Sequence, residues 1–452
     1  SFDSTQVDLG GDDQIVLGDG NNTVVAGFGN DAVTTGSGED LVVGDNGTAT
    51  YTAGTELLQT LATTDTTNLT GGNDVVDVGE GDNIVLAGVG ADTVTAGAAD
   101  DTLPGNNLVI GDNGQVDWTA DGELSSIQTT DPTLGADDSI TIGSGDNIVL
   151  GGFGGDSITT NDGTDLILGD NGSLTYGLDV NGDAVLTLAQ TTDVTSATGG
   201  DDVINSGDGD NVILAGMGSD IVTTVAPSTS TALTGTVVAG DTWTLDLLAD
   251  GVTTQYSYAV PPTGTTTIED VVAGLAAAIN ADATTGYIAI AQGDTLLITN
   301  PDGTIFTATY SSGTSGVVAT ETAVAGTTTG DTVVFGDNGN VTWDTAGLIT
   351  SFDSTQVDLA DDDTITLGDG NNTVVAGFGN DAVTTGSGED LVVGDNGTAT
   401  YTAGTELLQT LATTDTTNLT GGYDVVDVGE GVNIVLAGMG VDNLIAVAGE
   451  DL

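Results

Sequence analysis

The stretch AGFGNDAVTTGSGEDLVVGDNG, residues 26–47, carries the pattern that decides the fold. It holds two nine-residue repeats in one register, with Asp31 and Asp40 nine positions apart. In each repeat a glycine precedes the aspartate by two positions, and Val33 or Val42 follows it by two positions. Glycine permits the positive φ of a tight turn, and an aliphatic residue at a fixed place marks a short strand that buries one side chain. The stretch therefore predicts one turn and one short strand in every nine residues.

The same register extends outward from this stretch over most of the chain. The nine-residue pattern is itself part of a longer repeat, because residues 17–72 recur unchanged at 367–422. Successive units start 61, 64, 64, 161 and 61 residues apart, so one unit carries roughly a hundred extra residues. Repetition of this kind is typical of stacked repeat proteins. The aspartates that begin the six units are Asp13, Asp74, Asp138, Asp202, Asp363 and Asp424.

Each series of nonapeptides ends on Gly-Asp-Asn-Gly, as at 44–47 and 169–172, and a strand-rich stretch with a central turn follows. Asp-Gly or Asn-Gly between alternating apolar and polar residues predicts a β-hairpin. Residues 226–329 have a different composition, with strand-like runs and an apolar stripe at helical spacing. Thr266 and Glu269 form a capping pair at the start of this stripe. We expect a small inserted α+β domain there.

The charge of the chain limits its chemistry. Among 452 residues there are 68 Asp and Glu and no Lys, Arg, His or Cys, for a net charge of −68. Nucleic-acid binding needs basic side chains, and catalytic dyads or triads built on His, Cys or Lys are impossible. Zinc, iron and copper favour His and Cys ligands, so a hard, oxygen-seeking cation such as Ca²⁺ is the expected partner. No run of about 18 apolar residues occurs, so we expect no membrane insertion. Ser1 begins within the repeat pattern, so we expect a piece of a longer or processed protein.

The nine-residue pattern resembles the repeat of the RTX, or hemolysin-type, calcium-binding family, G-G-x-G-x-D-x-U-x, in which U is a large aliphatic residue. Close matches are AGFGNDAVT (26–34), TGSGEDLVV (35–43) and GGFGGDSIT (151–159). The resemblance implies a parallel β-roll, in which two nonapeptides make one coil and turns on the same edge share Ca²⁺. The implied fold class is all-β, with calcium-bound parallel β-roll solenoid units alternating with β-hairpins, plus one small inserted α+β domain.

On this basis we expect six roll units with a hairpin between each pair of neighbours. The roll units are 1–47, 71–114, 135–172, 199–225 with 330–339, 359–397 and an irregular sixth at 421–452, and the inserted domain (226–329) interrupts the fourth. The hairpins are 48–70, 115–134, 173–198, 340–358 and 398–420.

The resemblance implies multiple Ca²⁺ sites at the sixth position of each nonapeptide. Turns 18 residues apart, such as those of Asp13 and Asp31, are expected to share an ion. The second turn of every unit carries Asn instead, so sites on that edge are expected to be weaker, or the Asn to serve only as a turn former. In unit 6, Val432 and Val441 replace the polar or small residues of earlier units, which puts its sites in doubt. The expected metal ligands are Asp13, Asn22, Asp31, Asp40, Asp74, Asn83, Asp92, Asp101, Asp138, Asn147, Asp156, Asp165, Asp202, Asn211, Asp220, Asp363, Asn372, Asp381, Asp390, Asp424, Asn433, Asp442 and Asp451.

Calcium is expected to control folding. Carboxylates stacked along one edge repel each other unless a cation lies between them, and no side chain supplies one. With one aliphatic residue inward per nonapeptide, the core is expected to be too thin to offset the ordering entropy. We therefore expect the roll segments to be disordered without Ca²⁺ and to fold at roughly 0.1–1 mM, as extracellular modules do.

Three functions are compatible with this reading. The first is a calcium-dependent extracellular structural repeat protein, a segment of a giant bacterial adhesin, surface fibre or matrix filament, in which copies of the chain associate. The second is a module that binds a glycan or protein and is presented on calcium rolls. The third is the calcium-binding tail of a secreted enzyme. Carboxylates occur everywhere in the sequence, so none marks a catalytic centre, and we expect the chain not to be an enzyme.

Overall fold

The structure is a computed structural model. It describes residues 2–4, 10–55, 57–67, 71–97, 105–224, 228–233, 237–249, 252–262, 266–280, 287–292, 295–299, 306–312, 316–322, 329–357, 361–405, 407–415 and 421–446. The chain forms two compact units. We call Ser1–Val222 with Thr328–Leu452 the solenoid, and Thr223–Thr327 the inserted domain.

Within the described residues, three long sheets make up the solenoid, and the nonapeptide strands alternate between two parallel ones. The outer sheet contains Gln14–Val16, Ala32–Thr34, Val75–Val78, Thr93–Ala96, Ser139–Ile142, Ser157–Thr159, Val203–Asn205, Ile221–Thr223, Thr364–Thr366, Ala382–Thr384, Val425–Val428 and Asn443–Ala446. The middle sheet contains Thr23–Val25, Leu41–Val43, Ile84–Leu86, Leu108–Ile110, Ile148–Gly152, Leu166–Asp170, Val212–Leu214, Val333–Phe335, Thr373–Val375, Leu391–Val393 and Ile434–Leu436.

The third sheet is antiparallel, and we call it the hairpin sheet. Each hairpin pairs with the next along the solenoid, as when Val116 faces Leu61 and Ile127 faces Leu174. The roll units therefore stack directly on one another, with Val33 opposite Val76, while the hairpins lie along one side. The strands of the hairpin sheet are Phe2–Asp3, Gly47–Tyr51, Leu58–Thr63, Gly114–Trp118, Leu124–Thr129, Gly172–Leu178, Ala184–Thr191, Gly339–Trp343, Ile349–Ser354, Gly397–Tyr401 and Leu408–Thr413.

Side-chain burial shows why the two parallel sheets differ in sequence. An outer-sheet strand such as Ser157–Thr159 is polar at both ends and directs its central Ile158 into the core shared with the middle sheet. A middle-sheet strand such as Leu166–Asp170 is buried throughout: Ile167 contacts the first core, and Leu166 and Leu168 contact a second core under the hairpin sheet. A sheet covered on both faces is expected to have continuous apolar runs.

The predicted fold class is confirmed, but the expectation of a thin core was wrong. The hairpins were treated as linkers, so the second face of the middle sheet was not counted as buried. Its apolar residues and those of the hairpin sheet form a second core as long as the first, with Leu150, Leu168 and Phe335 opposite Ile127 and Phe352. Half-buried aromatic residues at the hairpin bulges flank this core: Tyr51, Trp118, Tyr176, Trp343 and Tyr401.

The inserted domain has its own core. A helix, Ile268–Asn280, packs with a three-stranded sheet (Ser228–Ala232, Ile288–Gln292 and Thr295–Thr299) and a four-stranded sheet (Thr242–Ala249, Val252–Ala259, Phe306–Ser312 and Gly316–Thr322). The helix begins one residue later than the predicted capping pair. Thr267 and Asp270, rather than Thr266 and Glu269, exchange side-chain and backbone hydrogen bonds, because the apolar stripe places Ile268 in the first turn. No helix in the described ranges is long and apolar enough to cross a membrane.

The insertion does not disturb the register of the solenoid. The chain leaves after the outer strand Ile221–Thr223 and re-enters the middle sheet at Val333–Phe335. Val333 lies beside Val212 in parallel register. The backbone N–H of Asp220 donates to Oδ1 of Asp363 at 2.8 Å, a distance typical of the units without an insert. The inserted domain therefore lies, in chain order, within the connection between two strands, and the coils before and after it stack normally.

Truncation of a side chain in the second core tests this three-layer packing. Ile127 is fully buried between the hairpin and middle sheets. We expect Ile127→Ala to lower stability by about 2–5 kcal/mol, because it removes apolar contacts and leaves a cavity. Urea unfolding in saturating calcium measures the loss. The control is Val180→Ala in a hairpin turn, where the side chain is 96% exposed and the expected change is within about 0.5 kcal/mol. Equal midpoints for the two variants would contradict a hairpin sheet packed on the middle sheet.

Candidate calcium sites

A continuous ladder of aspartates runs along one edge of the solenoid, at the turns that lead into the outer sheet. In each rung, Oδ1 of one aspartate accepts the backbone N–H of the equivalent aspartate one coil earlier. This distance is 2.7 Å for Asp138 N–H to Asp156 and also for Asp156 N–H to Asp202. It lengthens to 3.4 Å at the last rung, Asp424 N–H to Asp442. We call this the aspartate edge; it consists of Asp13, Asp31, Asp74, Asp92, Asp138, Asp156, Asp202, Asp220, Asp363, Asp381, Asp424 and Asp442.

The second carboxylate oxygen of most rungs has no partner among the described residues. Asp156 is only 1% exposed, and its Oδ2 is buried without a hydrogen bond. Burial raises the pKa of Asp156 and of Asp202 well above the ordinary aspartate range, and neighbouring carboxylates raise that of Asp202 further. A buried charge without compensation costs several kcal/mol. The rungs with such an oxygen are Asp31, Asp74, Asp92, Asp138, Asp156, Asp202, Asp220, Asp363, Asp381 and Asp424.

The surroundings of these oxygens suit a calcium ion. At Gly169, a Cβ atom would lie 2.1 Å from Oδ2 of Asp202 and 2.3 Å from the carbonyl oxygen of Ala215. Glycine therefore leaves open a space toward which a carboxylate and a carbonyl oxygen both point. The same space recurs at Gly111 and Gly336. Carboxylate and backbone carbonyl oxygens are the ligands that Ca²⁺ prefers, about six to eight for each ion.

Carboxylates alone do not build these sites. In the described part of the chain, no group of three or more acidic side chains converges in a way that could hold a metal ion. Each ion on the aspartate edge would therefore be held by one or two ladder carboxylates, with turn carbonyls supplying the remaining protein ligands. This explains why glycine, with its unobstructed carbonyls, is as regular in the sequence as aspartate.

Residues 9–50, 69–103, 141–173, 192–223, 358–392 and 366–400 match a family model described as the RTX calcium-binding nonapeptide repeat. These segments are RTX repeats. The predicted resemblance is confirmed, and RTX repeats bind calcium. The matches cover the nonapeptide series of five units and leave out the inserted domain. No curated protein matches the chain.

The remaining expected ligands of the RTX repeats lie on the opposite edge, at the turns that lead into the middle sheet. Asn22 and Asp40 begin this second ladder, with the Asn22 N–H 2.8 Å from Oδ1 of Asp40. We call it the asparagine edge; it consists of Asn22, Asp40, Asn83, Asn107, Asn147, Asp165, Asn211, Thr332, Asn372, Asp390 and Asn433. The structure thus separates the expected ligands into two rows, and Asp101 and Asp451 lie outside the described residues.

The prediction that Asp101 follows Asn83 in this ladder was wrong. Asp101 was placed there by the 18-residue spacing, but the N–H of Asn83 donates to Oδ1 of Asn107, 24 residues along the chain. The step from Asn83 to the next ladder position is six residues longer than the step from Asn22 to Asp40 in unit 1, 24 residues against 18, so the position falls on an asparagine. The shift places an uncharged residue in this rung.

The motif Gly-Asp-Asn-Gly supplies a further row of carboxylates that the sequence interpretation did not treat as functional. Oδ2 of Asp45 accepts the N–H of Val89 in the next coil at 2.6 Å, and Oδ1 accepts that of Gly72 at 3.2 Å. Burial, with Asp74 and Asp65 nearby, raises the pKa of Asp45 to about 10. This row therefore places further buried carboxyl groups beside the aspartate edge. Its recurrence before every hairpin was the available signal; its members are Asp45, Asp112, Asp170, Asp337 and Asp395.

Acid is expected to stabilise the calcium-free RTX solenoid. Burial raises the pKa of Asp220 and Asp381 to about 8, whereas an unfolded aspartate has a pKa near the model-peptide value of about 4. The folded state then binds more protons, so the stability that protonation contributes is complete below about pH 4 and is lost as the pH rises through about 8. In calcium-free, dialysed protein, circular dichroism should show more β structure at pH 5.5 than at pH 8. In saturating calcium the order should reverse, since ligands must be deprotonated. A calcium-free signal that rises with pH would contradict the buried positions of these carboxylates.

Proposed function

We propose that this chain is a calcium-stabilised structural segment of a secreted bacterial protein, and that its solenoid extends a giant adhesin, surface fibre or matrix filament. The observation that carries the proposal is the aspartate edge, in which buried, unpartnered carboxylate oxygens recur coil after coil. Ca²⁺ is scarce in the cytosol and abundant outside cells, so sites of the usual extracellular affinity of about 0.1–1 mM would fill only after export. RTX repeats are typical of secreted bacterial proteins, which supports this location.

The architecture supports a structural rather than a catalytic role. Residues 17–72 and 367–422 are identical, yet the second copy stacks on unit 4 through the parallel pairing of Val334 with Val374. One unit therefore fits at more than one place in the stack, and length can increase without new contacts being required. Copies of the chain, or further units of the same kind, are the partners that we propose for the solenoid.

Localisation tests the proposal. Antibodies against the solenoid should label extracellular fibres or matrix around intact cells of the producing organism in calcium-containing medium, as seen by immuno-electron microscopy. A wash with a calcium chelator should disperse the label, and a wash with the same chelator preloaded with calcium should not. Label confined to the cell interior, or fibres that keep their order in chelator, would overturn the proposal.

A second role, recognition of a glycan or protein, is favoured by the inserted domain. It has a separate core built around Trp243 and Tyr310, and no residue of the two ladders comes from it. The solenoid register continues across it, so the solenoid does not need it for stacking. Binding of the full chain to a glycan array, compared with a variant in which residues 224–328 are replaced by a short turn, would separate this role from the structural one.

A further inference from the structure

The asparagines of the second ladder close their own turns. In Asn22, Nδ2 donates to the carbonyl oxygen of Gly18 at 3.0 Å and to that of Gly20 at 2.6 Å. These carbonyls stand four and two positions before the asparagine, within the glycine-rich turn. The same pair of hydrogen bonds, at 2.8–3.2 Å, recurs for Asn83, Asn147, Asn211 and Asn372.

The equivalent position on the aspartate edge cannot do this. A carboxylate accepts hydrogen bonds but donates none, so it cannot satisfy the carbonyls of its own turn. Its Oδ2 remains buried and unpartnered instead, as in Asp156 and Asp202. The two edges therefore differ in what they lack: the aspartate edge needs a positive group between its oxygens, and the asparagine edge already holds two N–H donors there.

The asparagine amide also connects one coil to the next. Nδ2 of Asn147 also lies 3.0 Å from Oδ1 of Asp165, so its two N–H groups are shared among three acceptors. The backbone N–H of Asn147 donates to the same carboxylate oxygen at 2.9 Å. The other oxygen, Oδ2 of Asp165, accepts the hydroxyl of Thr160 at 2.6 Å. Thr385 and Asp390 repeat this hydroxyl contact at 2.8 Å in unit 5. The carboxylates of Asp165 and Asp390 are thus satisfied by the chain itself, whereas Oδ2 of Asp40 is buried without a hydrogen-bond partner among the described residues.

We infer that calcium binds along only one edge of this solenoid, and that the asparagine edge is a metal-free seam in which amide groups occupy the place of the ions. This inference rests on the proposed function, since it assumes that calcium fills the aspartate edge. Of the two expectations for Asn22 and its equivalents, it favours the turn former over the weaker calcium ligand. Their amide oxygens accept the N–H of a neighbouring rung, as Oδ1 of Asn147 does from Asn107 at 3.0 Å, and their amide nitrogens fill the turns.

Substitution of the amides by carboxylates tests the seam. The triple variant Asn22→Asp, Asn147→Asp and Asn372→Asp places a carboxylate next to Asp40, Asp165 and Asp390, and frees the glycine carbonyls of three turns. Each of these three turns then has a carboxylate and free turn carbonyls, as the turns of the aspartate edge do. We expect three more ions per chain than in the wild type, counted by elemental analysis after equilibrium dialysis at saturating calcium. In calcium-free buffer the triple variant should show less β signal than the wild type.

Two further variants complete the experiment. Asn181→Asp makes the same change in an exposed hairpin turn and should leave both the ion count and the calcium-free signal unchanged. Asp156→Asn makes the opposite change on the aspartate edge and should lower the ion count by at least one. The single variant Asn147→Asp, expected to add one ion, serves if the triple variant does not fold.

The outcomes distinguish the metal-free asparagine edge from the proposed function. A wild type that binds calcium, with an ion count that the asparagine variants leave unchanged, would overturn the seam and leave the proposed function standing. Failure of Asn147→Asp to fold even in calcium would also overturn it, because the turn would then not be a latent ion site. A wild type that folds fully and binds no calcium would instead overturn the proposed function.

Discussion

Removal of calcium is expected to unfold the solenoid and to leave the inserted domain folded. Ten rungs of the aspartate edge have a buried carboxylate oxygen without a partner among the described residues. At pH 7.5 each of these groups must either keep an uncompensated buried charge or take up a proton that the unfolded chain does not bind. Either costs about 3–5 kcal/mol, so even a few of them outweigh the roughly 5–15 kcal/mol by which a folded domain is stable. The second core makes the solenoid more stable than the sequence indicated, but it does not offset ten such groups. The inserted domain contributes no rung and has its own core.

Hydrogen exchange read by mass spectrometry distinguishes the two units within one chain. In calcium-free buffer at pH 7.5, peptides from the middle sheet, such as Leu166–Asp170, should exchange within seconds. Peptides from Thr242–Ala249 should stay protected for far longer. Addition of calcium should restore the protection of the middle sheet with a midpoint of about 0.1–1 mM. Magnesium at the same concentration is the control and should not restore it, because Mg²⁺ demands a tighter octahedral site. Full protection of the middle sheet without calcium would refute the role of the aspartate edge.

The second large effect is expected at a single glycine. Gly209 has a φ of +151°, and a Cβ atom there would lie 1.7 Å from the carbonyl oxygen of Gly163 in the preceding coil. Neither backbone can move away without breaking the hydrogen bonds between the coils. We expect Gly209→Ala to cost more than about 3 kcal/mol, since positive φ and a backbone clash add together. The urea midpoint in saturating calcium measures the loss.

The control for this substitution is a glycine that also has a positive φ but lacks the clash. Gly182 in a hairpin turn has a φ of +94°, and nothing lies within 4 Å of its Cβ position. We expect Gly182→Ala to cost about 1 kcal/mol, the ordinary penalty for a left-handed alanine. Similar losses for the two variants would mean that the coils are not in close contact at Gly209.

Local spacing was enough to predict one turn and one short strand in every nine residues, and the resemblance that this spacing carries implied the fold class. The nine-residue register places every ladder residue of unit 1 correctly, because turn and strand lengths are fixed by consecutive residues. The hairpins are equally local: Asn-Gly at 181–182 forms the predicted turn between Gly172–Leu178 and Ala184–Thr191.

Long-range features could not be read in this way. Burial of the middle sheet depends on hairpins folding back over it, and no local pattern records that contact. The continuous apolar run Leu166–Leu168 was a signal for it, since a strand exposed on one face would alternate. The hydrogen bonds of Asn147 depend on which way its amide points, so its residue type alone was compatible with a metal ligand. The six extra residues before Asn107 broke the spacing on which Asp101 had been assigned.

The connection between Ile221–Thr223 and Val333–Phe335 contains a complete folded domain, and the aspartate ladder keeps its register across it. The shorter connections at the same place in the other units are topologically equivalent, for example the one between Ser157–Thr159 and Leu166–Asp170. Each is therefore a place where another folded domain could be inserted at a chosen unit of the solenoid. In evolutionary terms, such a scaffold can gain or exchange inserted domains one at a time, because the register of its coils continues across an insertion.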